Sequence, residues 1–146
     1  MNALALALLL SVLAPSDRAA IENIAVAGDA AWNARDAAAL ANTFTLDGHN
    51  TILNTPVDLR GRDAIRSYFE NSLAKADRAL RHRTVVEELT PVGDAVVVAA
   101  VRVSLVKVNA DGSETVVRKF TGTSVIVKDG DAWRIRVNRV HPESGV

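Results

Sequence analysis

The chain is expected to fold as a single α+β domain in which a cone-shaped, curved antiparallel sheet packs against three N-terminal helices. Three observations carry this expectation. Apolar residues recur at helical spacing as far as Leu73 and switch to alternation from His82 onward, so helices precede strands instead of interleaving with them. The strands are separated by short turns, which makes sequence neighbours antiparallel. The 146 residues, 49% of them hydrophobic, suffice for one core and not for two. Long strands can bury three short helices only by curling, and a curled sheet under helices is a cone with an open mouth, hence a cavity.

Ala3 to Ala14 is an uninterrupted apolar run, shorter than the roughly 20 residues a helix needs to span a bilayer, so no membrane span is expected. Its length is that of a secretory h-region, although the preceding Met1-Asn2 carries no basic residue. Residues 1–15 are read as an apolar leader, a signal peptide whose removal places the chain in the periplasm or outside the cell. The competing reading is an apolar extension of the first helix on a cytoplasmic protein. Residues 16–143 form the domain and 144–146 a tail.

After Pro15, Ser16 or Asp17 can cap a helix whose apolar stripe runs through Ile21, Ile24, Gly28, Ala31 and Trp32. Gly28 disfavours the helix relative to Ala, so a ligand or a crossing element is expected against the backbone there. Asn33-Ala34-Arg35 breaks the stripe, and Asp36 stands as the N-cap of a second helix, within reach of the amides of Ala38 or Ala39. Trp32 closes the first helix and Phe44 the second, giving one aromatic wall of a concave site. A short strand from Asn50 to Leu53, a turn at Thr55-Pro56-Val57-Asp58 and a third helix from Gly61-Arg62-Asp63 follow. In that helix Ile65, Tyr68, Phe69, Ser72 and Leu73 share the inward face, leaving Arg62, Arg66 and Glu70 to water.

Four strands are readable beyond it: His82 to Leu89, Ala95 to Val108, Thr115 to Lys128 and Ala132 to His141. Turns at Thr90–Asp94, Asn109–Gly112 and Asp129-Gly130 join them. In the last strand Trp133, Ile135 and Val137 alternate with Arg134, Arg136 and Asn138, so unbroken parity carries Arg139 and His141 to the inward side with Trp133.

Basic and acidic residues balance at 17 each, which leaves no surplus of positive charge to neutralise a nucleic-acid backbone. The absence of Cys excludes disulfides, thiolate nucleophiles and cysteine-bound metal. The histidines at positions 49, 82 and 141 lack a spacing that would converge them, so no metal site is expected, and nothing implies a cofactor. The candidate lining of the cavity is Trp32, Phe44, Tyr68, Phe69 and Trp133, core residues first, with the Tyr68 hydroxyl as their polar handle and an apolar or aromatic small molecule as the partner they select. His82 stands either in the cavity as a proton donor or on the rim in a basic patch with Arg81 and Arg83. Arg139 and His141 either hold an anionic oxygen at the mouth or pair with acids such as Glu87 or Glu88. Asp47 and His49 form an acid/base pair near the rim on one reading and ordinary Asp-Gly turn chemistry on the other. No catalytic residue is assigned.

The motifs Ala31-Trp32-Asn33-Ala34-Arg35-Asp36, Gly61-Arg62-Asp63-Ala64-Ile65 and Asp129-Gly130-Asp131-Ala132-Trp133-Arg134-Ile135, in this order, resemble the nuclear transport factor 2-like superfamily, most closely its bacterial SnoaL-like and SgcJ/EcaC-type branches. The resemblance spans Asp17 to Pro142. It implies a cystatin-like α+β roll, homodimerisation through the sheet, and a pocket that some members use for isomerase or cyclase chemistry and others only for binding. The acid pair of ketosteroid isomerase does not carry over. Its base falls at Asn54-Thr55 before Pro56, its second acid at about Thr123 and its first-helix tyrosine at Gly28, none of which supplies the group required. Thr123 is retained as a pocket residue. The expected function is a small-molecule-binding SnoaL-like domain, with an isomerase- or cyclase-type activity outside the ketosteroid-isomerase mechanism; the alternative is a non-catalytic dimerisation or accessory domain.

Overall fold

A computed structural model describes residues 12–144. The leader assigned to residues 1–15 falls mostly outside them. No helix among the described residues is long and apolar enough to cross a membrane.

Helix α1 (Pro15–Asn33) starts with proline at its first position, where the missing N–H has no intrahelical partner to lose. Neither Ser16 nor Asp17 caps it. Asp17 instead accepts from Trp133 Nε1 at 2.8 Å and from Lys128 Nζ at 3.3 Å, tying the start of the helix to the sheet. The Trp133 hydrogen bond, ahead of the effects of burial and Lys128, holds the Asp17 carboxyl below its ordinary value. At the corner Asp36 caps α2 (Ala37–Asn42) as expected, its carboxylate accepting from the Ala39 amide at 2.9 Å. Replacing Asp36 with alanine should lower stability by about 1 kcal/mol, read as a drop in unfolding midpoint.

Phe44 does not close α2 but opens β1 (Phe44–Ile52), because Thr43 ends the helix with its hydroxyl bonded back to the Leu40 carbonyl at 2.7 Å. β1 is longer than the sequence suggested. Its pairing shifts between Phe44 and His49, and a Cβ on Gly48 would come within 2.9 Å of the Phe44 Cβ, so the kink there needs glycine. A short β2 (Asp58–Arg60) returns alongside β1, and α3 (Arg62–Lys75) follows. Arg62, expected in water, is half-buried and donates to the Phe44 carbonyl, fastening α3 to β1.

β3 (Leu80–Gly93), β4 (Val96–Val108), β5 (Glu114–Asp129) and β6 (Ala132–Pro142) form the expected antiparallel meander. The full order is β2-β1-β6-β5-β4-β3, and β1 joins β6 in parallel, so the six-stranded sheet is mixed. Of the meander's hairpins, β4–β5 and β5–β6 turn on Gly112 and Gly130, at φ +82° and +65°. One apolar cluster, Ile21, Val97, Ala99, Ile126 and Trp133, sits between α1 and the sheet. Two more join Trp32, Leu40 and Leu73, and Ala41, Phe44 and Ile65, around the α2 corner.

Candidate ligand cavity and acid–base pair

Between the three helices and the concave face of the sheet lies a cavity of about 430 Å³. Its sheet wall is laid out in rows fixed by strand register: His82–Leu105–Arg118, then Thr84–Val103–Phe120, then Val86–Val101–Gly122–Val140. A row further along, Ser124–Asn138–Asn50 crosses β5, β6 and β1 as a ladder of side-chain hydrogen bonds, 2.8 Å from the Ser124 hydroxyl to Asn138 Oδ1 and 2.9 Å from Asn138 Nδ2 to Asn50 Oδ1. Asn50 and Ser124 are each only 4% exposed, yet no buried side-chain polar atom among the described residues lacks a partner. Polar groups are thus confined to the two ends of an otherwise apolar wall. Gly122 in the third row is too crowded for a side chain: a Cβ would lie 2.9 Å from Val101 and 3.0 Å from Val140. Gly122→Ala should lower stability by about 1–3 kcal/mol, measured by urea unfolding.

Helix α1 braces the His82 end of that wall. Asn33 and Asp29, one turn apart on α1, reach the free side of β3. Asn33 accepts from the His82 amide at 2.7 Å and donates to the His82 carbonyl at 3.2 Å, while Asp29 accepts from the Thr84 amide at 2.7 Å. The same Asp29 carboxylate takes the Thr84 hydroxyl and His82 Nδ1, each at 2.7 Å. Burial alone would raise the Asp29 pKa, but the donors from His82 and Thr84 outweigh it and the carboxyl stays below its ordinary value. An ionised Asp29 keeps the Nδ1 proton on His82 and leaves Nε2, which has no partner among the described residues, as the basic nitrogen of a ring that lines the cavity. The ring stacks on Trp32, with centroids 5.5 Å apart at 30°, and the Arg35 guanidinium lies over the same indole, 4.6 Å from its centroid.

Trp32, Phe44, Tyr68, Phe69 and His82 line the cavity, Tyr68 and Phe69 meeting edge to face at 5.2 Å. Four expected residues do not. Arg136 is an extra residue in β6, because Val125 pairs with Val137 while Ile126 pairs with Ile135. This bulge reverses the parity: Asn138 and Val140 turn inward, and Arg139 and His141 turn out and are exposed. Thr123, paired with Arg139 and exposed, faces outward because β5 alternates and its neighbour Ser124, with Phe120 and Ile126, faces in. Trp133 is buried in the α1–sheet core and does not reach the cavity. Glu87 pairs with Arg102 at 2.6 Å and not with Arg139. Asp47 and His49 separate as well: Asp47 binds Thr45 and Arg136, and His49 binds Asp58.

Asp29, Asn50, Arg118, Ser124 and Asn138 were not anticipated. The one signal in the sequence was the i, i+4 pair Asp29 and Asn33 beside the apolar stripe of α1.

The chain is thus a small curved α+β cone with a half-buried His–Asp pair on the wall of an apolar cavity, and sequence comparison identifies its family. The SnoaL-like domain family matches residues 14–139, and the chain belongs to that family, within the nuclear transport factor 2-like superfamily. No curated protein matches it. Among solved structures it is similar to a cystatin-like domain of unknown function from Nostoc punctiforme (TM-score 0.79, 16% identity, 92% of this chain and 82% of that one). It is also similar to a candidate scytalone dehydratase from Novosphingobium aromaticivorans (0.75, 15%, 88% and 85%) and to a ketosteroid isomerase-like protein from Erwinia carotovora atroseptica (0.68, 18%, 90% and 100%). At these identities the likeness is one of fold.

Proposed function

We propose that the chain is a small-molecule acid–base enzyme, a lyase or isomerase in which His82 moves a proton on an apolar oxo or hydroxy compound. The observation that carries this reading is His82 Nδ1 held at 2.7 Å by Asp29 on the wall of an apolar cavity. With the Nδ1 proton fixed, Nε2 takes a proton from carbon next to a carbonyl; the imidazolium, stabilised by Asp29, returns it to a departing hydroxyl or to another carbon of the same substrate. The second carboxylate of ketosteroid isomerase is not needed, since one histidine serves as base and then as acid. The names borne by the scytalone dehydratase and ketosteroid isomerase-like structures agree with proton-transfer chemistry of this kind.

The test is deuterium incorporation from D2O into cyclic ketones and hydroxyketones that raise the unfolding temperature. The wild type should exchange, and His82→Gln should be slower by about 10²–10⁴-fold while still binding. Binding without exchange in the wild type returns the domain to the non-catalytic reading. Homodimerisation through the outer sheet face, where Val85 is 59% exposed, belongs to the same proposal and is read by sedimentation equilibrium. Export belongs to it too, and N-terminal sequencing of cell-derived protein tests it, an intact Met1 ruling out cleavage.

A further inference from the structure

Arg118 stands out among the cavity residues because it is the one lining side chain among the described residues with a permanent charge. Register places it on the concave face: an extra residue at Val117 shifts the β4–β5 pairing, and Arg118 then lies opposite Leu105, which lies opposite His82. The three occupy one straight row across β3, β4 and β5, with adjacent strands about 4.8 Å apart, so the backbones of His82 and Arg118 are roughly 10 Å from each other. Arg118 is exposed where His82 is half-buried, which puts the guanidinium at the opening and the imidazole inside. Nearby basic groups are neutralised, Arg83 by Glu114 and Arg102 by Glu87, but among the described residues no ion pair includes Arg118. Its one specific neighbour is the Phe120 ring, 5.8 Å from the guanidinium carbon, which leaves the donor edge of the fork unoccupied.

We infer that Arg118 is a specificity determinant that selects substrates carrying an anionic group, a carboxylate or sulfonate, at the end remote from the carbon handled by His82. The inference rests on the reading of the cavity as a small-molecule site. An apolar body fills the space over Val101, Val103 and Phe120, the anion stays at the opening where it is only partly dehydrated, and the fork binds it with charge-assisted hydrogen bonds. The cation also makes the opening attractive to anions before contact.

Two fluorescent probes that differ by a single sulfonate test this: 1-anilinonaphthalene-8-sulfonate and the neutral N-phenyl-1-naphthylamine. The wild type should bind the sulfonate more tightly. Arg118→Ala, shown to be folded by its melting curve, should weaken the sulfonate by about tenfold or more and leave the neutral probe within about twofold, and Arg118→Lys should restore part of the preference. Equal weakening of both probes, or no change in either, overturns the inference while leaving the cavity reading intact. Gly28→Phe separates the two failures. A Cβ at Gly28 would meet only Leu40, at 4.0 Å, so the added ring projects into the cavity and should block both probes. Undiminished binding of the neutral probe to Gly28→Phe overturns the cavity reading and the inference together.

Discussion

Trp133→Ala is expected to lower stability by about 3–5 kcal/mol, a fall of about 10 °C in unfolding temperature, the largest effect of any substitution considered for this chain. The indole is 7% exposed and fills the cluster formed by Ile21, Val97, Ala99 and Ile126, so its removal leaves a void that neither α1 nor the sheet can collapse into. It also leaves Asp17 without its best donor and loosens the start of α1. Trp133→Phe separates the contributions, keeping most of the packing and losing the Nε1 hydrogen bond, and should cost only about 0.5–1.5 kcal/mol more than any packing mismatch. Because Trp133 lies outside the cavity, Trp133→Phe should leave ligand affinity unchanged. A large loss of affinity in a folded Trp133→Phe protein would contradict that placement.

For the proton transfer proposed above, Asp29→Asn is expected to lower the rate by about 10²–10⁴-fold at nearly constant ligand affinity. The amide can still accept from the Thr84 N–H, so β3 keeps its hydrogen bond, but it no longer holds the proton on His82 Nδ1 or steadies the imidazolium. The same substitution has a signature in stability against pH. The fold holds the Asp29 carboxyl below its ordinary value of 3.8, so the ionised form favours the folded state. That contribution is fully present above the unfolded value and disappears as pH falls through the lower, folded one. Urea unfolding should therefore show wild type and Asp29→Asn differing most near neutrality and converging as pH falls below 3.8 and through the lower value of the folded state. A constant difference across that range would mean that the carboxylate charge is not what the fold uses.

How far the sequence reveals this molecule depends on the reach of each signal. Local patterns served well. The stripe of α1, the Asp36 cap, the inward face of α3 and the hairpin meander all follow from spacing within a few residues. β1 was shortened because Thr45, Asp47, Gly48 and His49 do not alternate, and its parallel seat beside β6 joins segments far apart in the chain. The candidate site suffered more. A single inserted residue at Arg136 was enough to turn Arg139 and His141 outward and to bring Asn138 in, and alternation carries no mark of where such an insertion falls. Asp29 escaped notice because it flanks the apolar stripe instead of lying on it, and its partner His82 is 53 positions away.

β3 ends the sheet, and the side of it that faces no other strand is held by Asn33 and Asp29. Were α1 to lift, the amides of His82 and Thr84 would become a template for strand addition from a second molecule, the usual route to edge-to-edge polymerisation. Asn33, which ties down the His82 backbone, and Asp29, which holds its ring, thus also act as gatekeepers against self-association. Truncating Asp29 to alanine removes one of these safeguards and leaves the Thr84 amide unpaired, whereas asparagine, which keeps an acceptor for Thr84, should leave the protein soluble at high concentration while the proposed proton transfer fails.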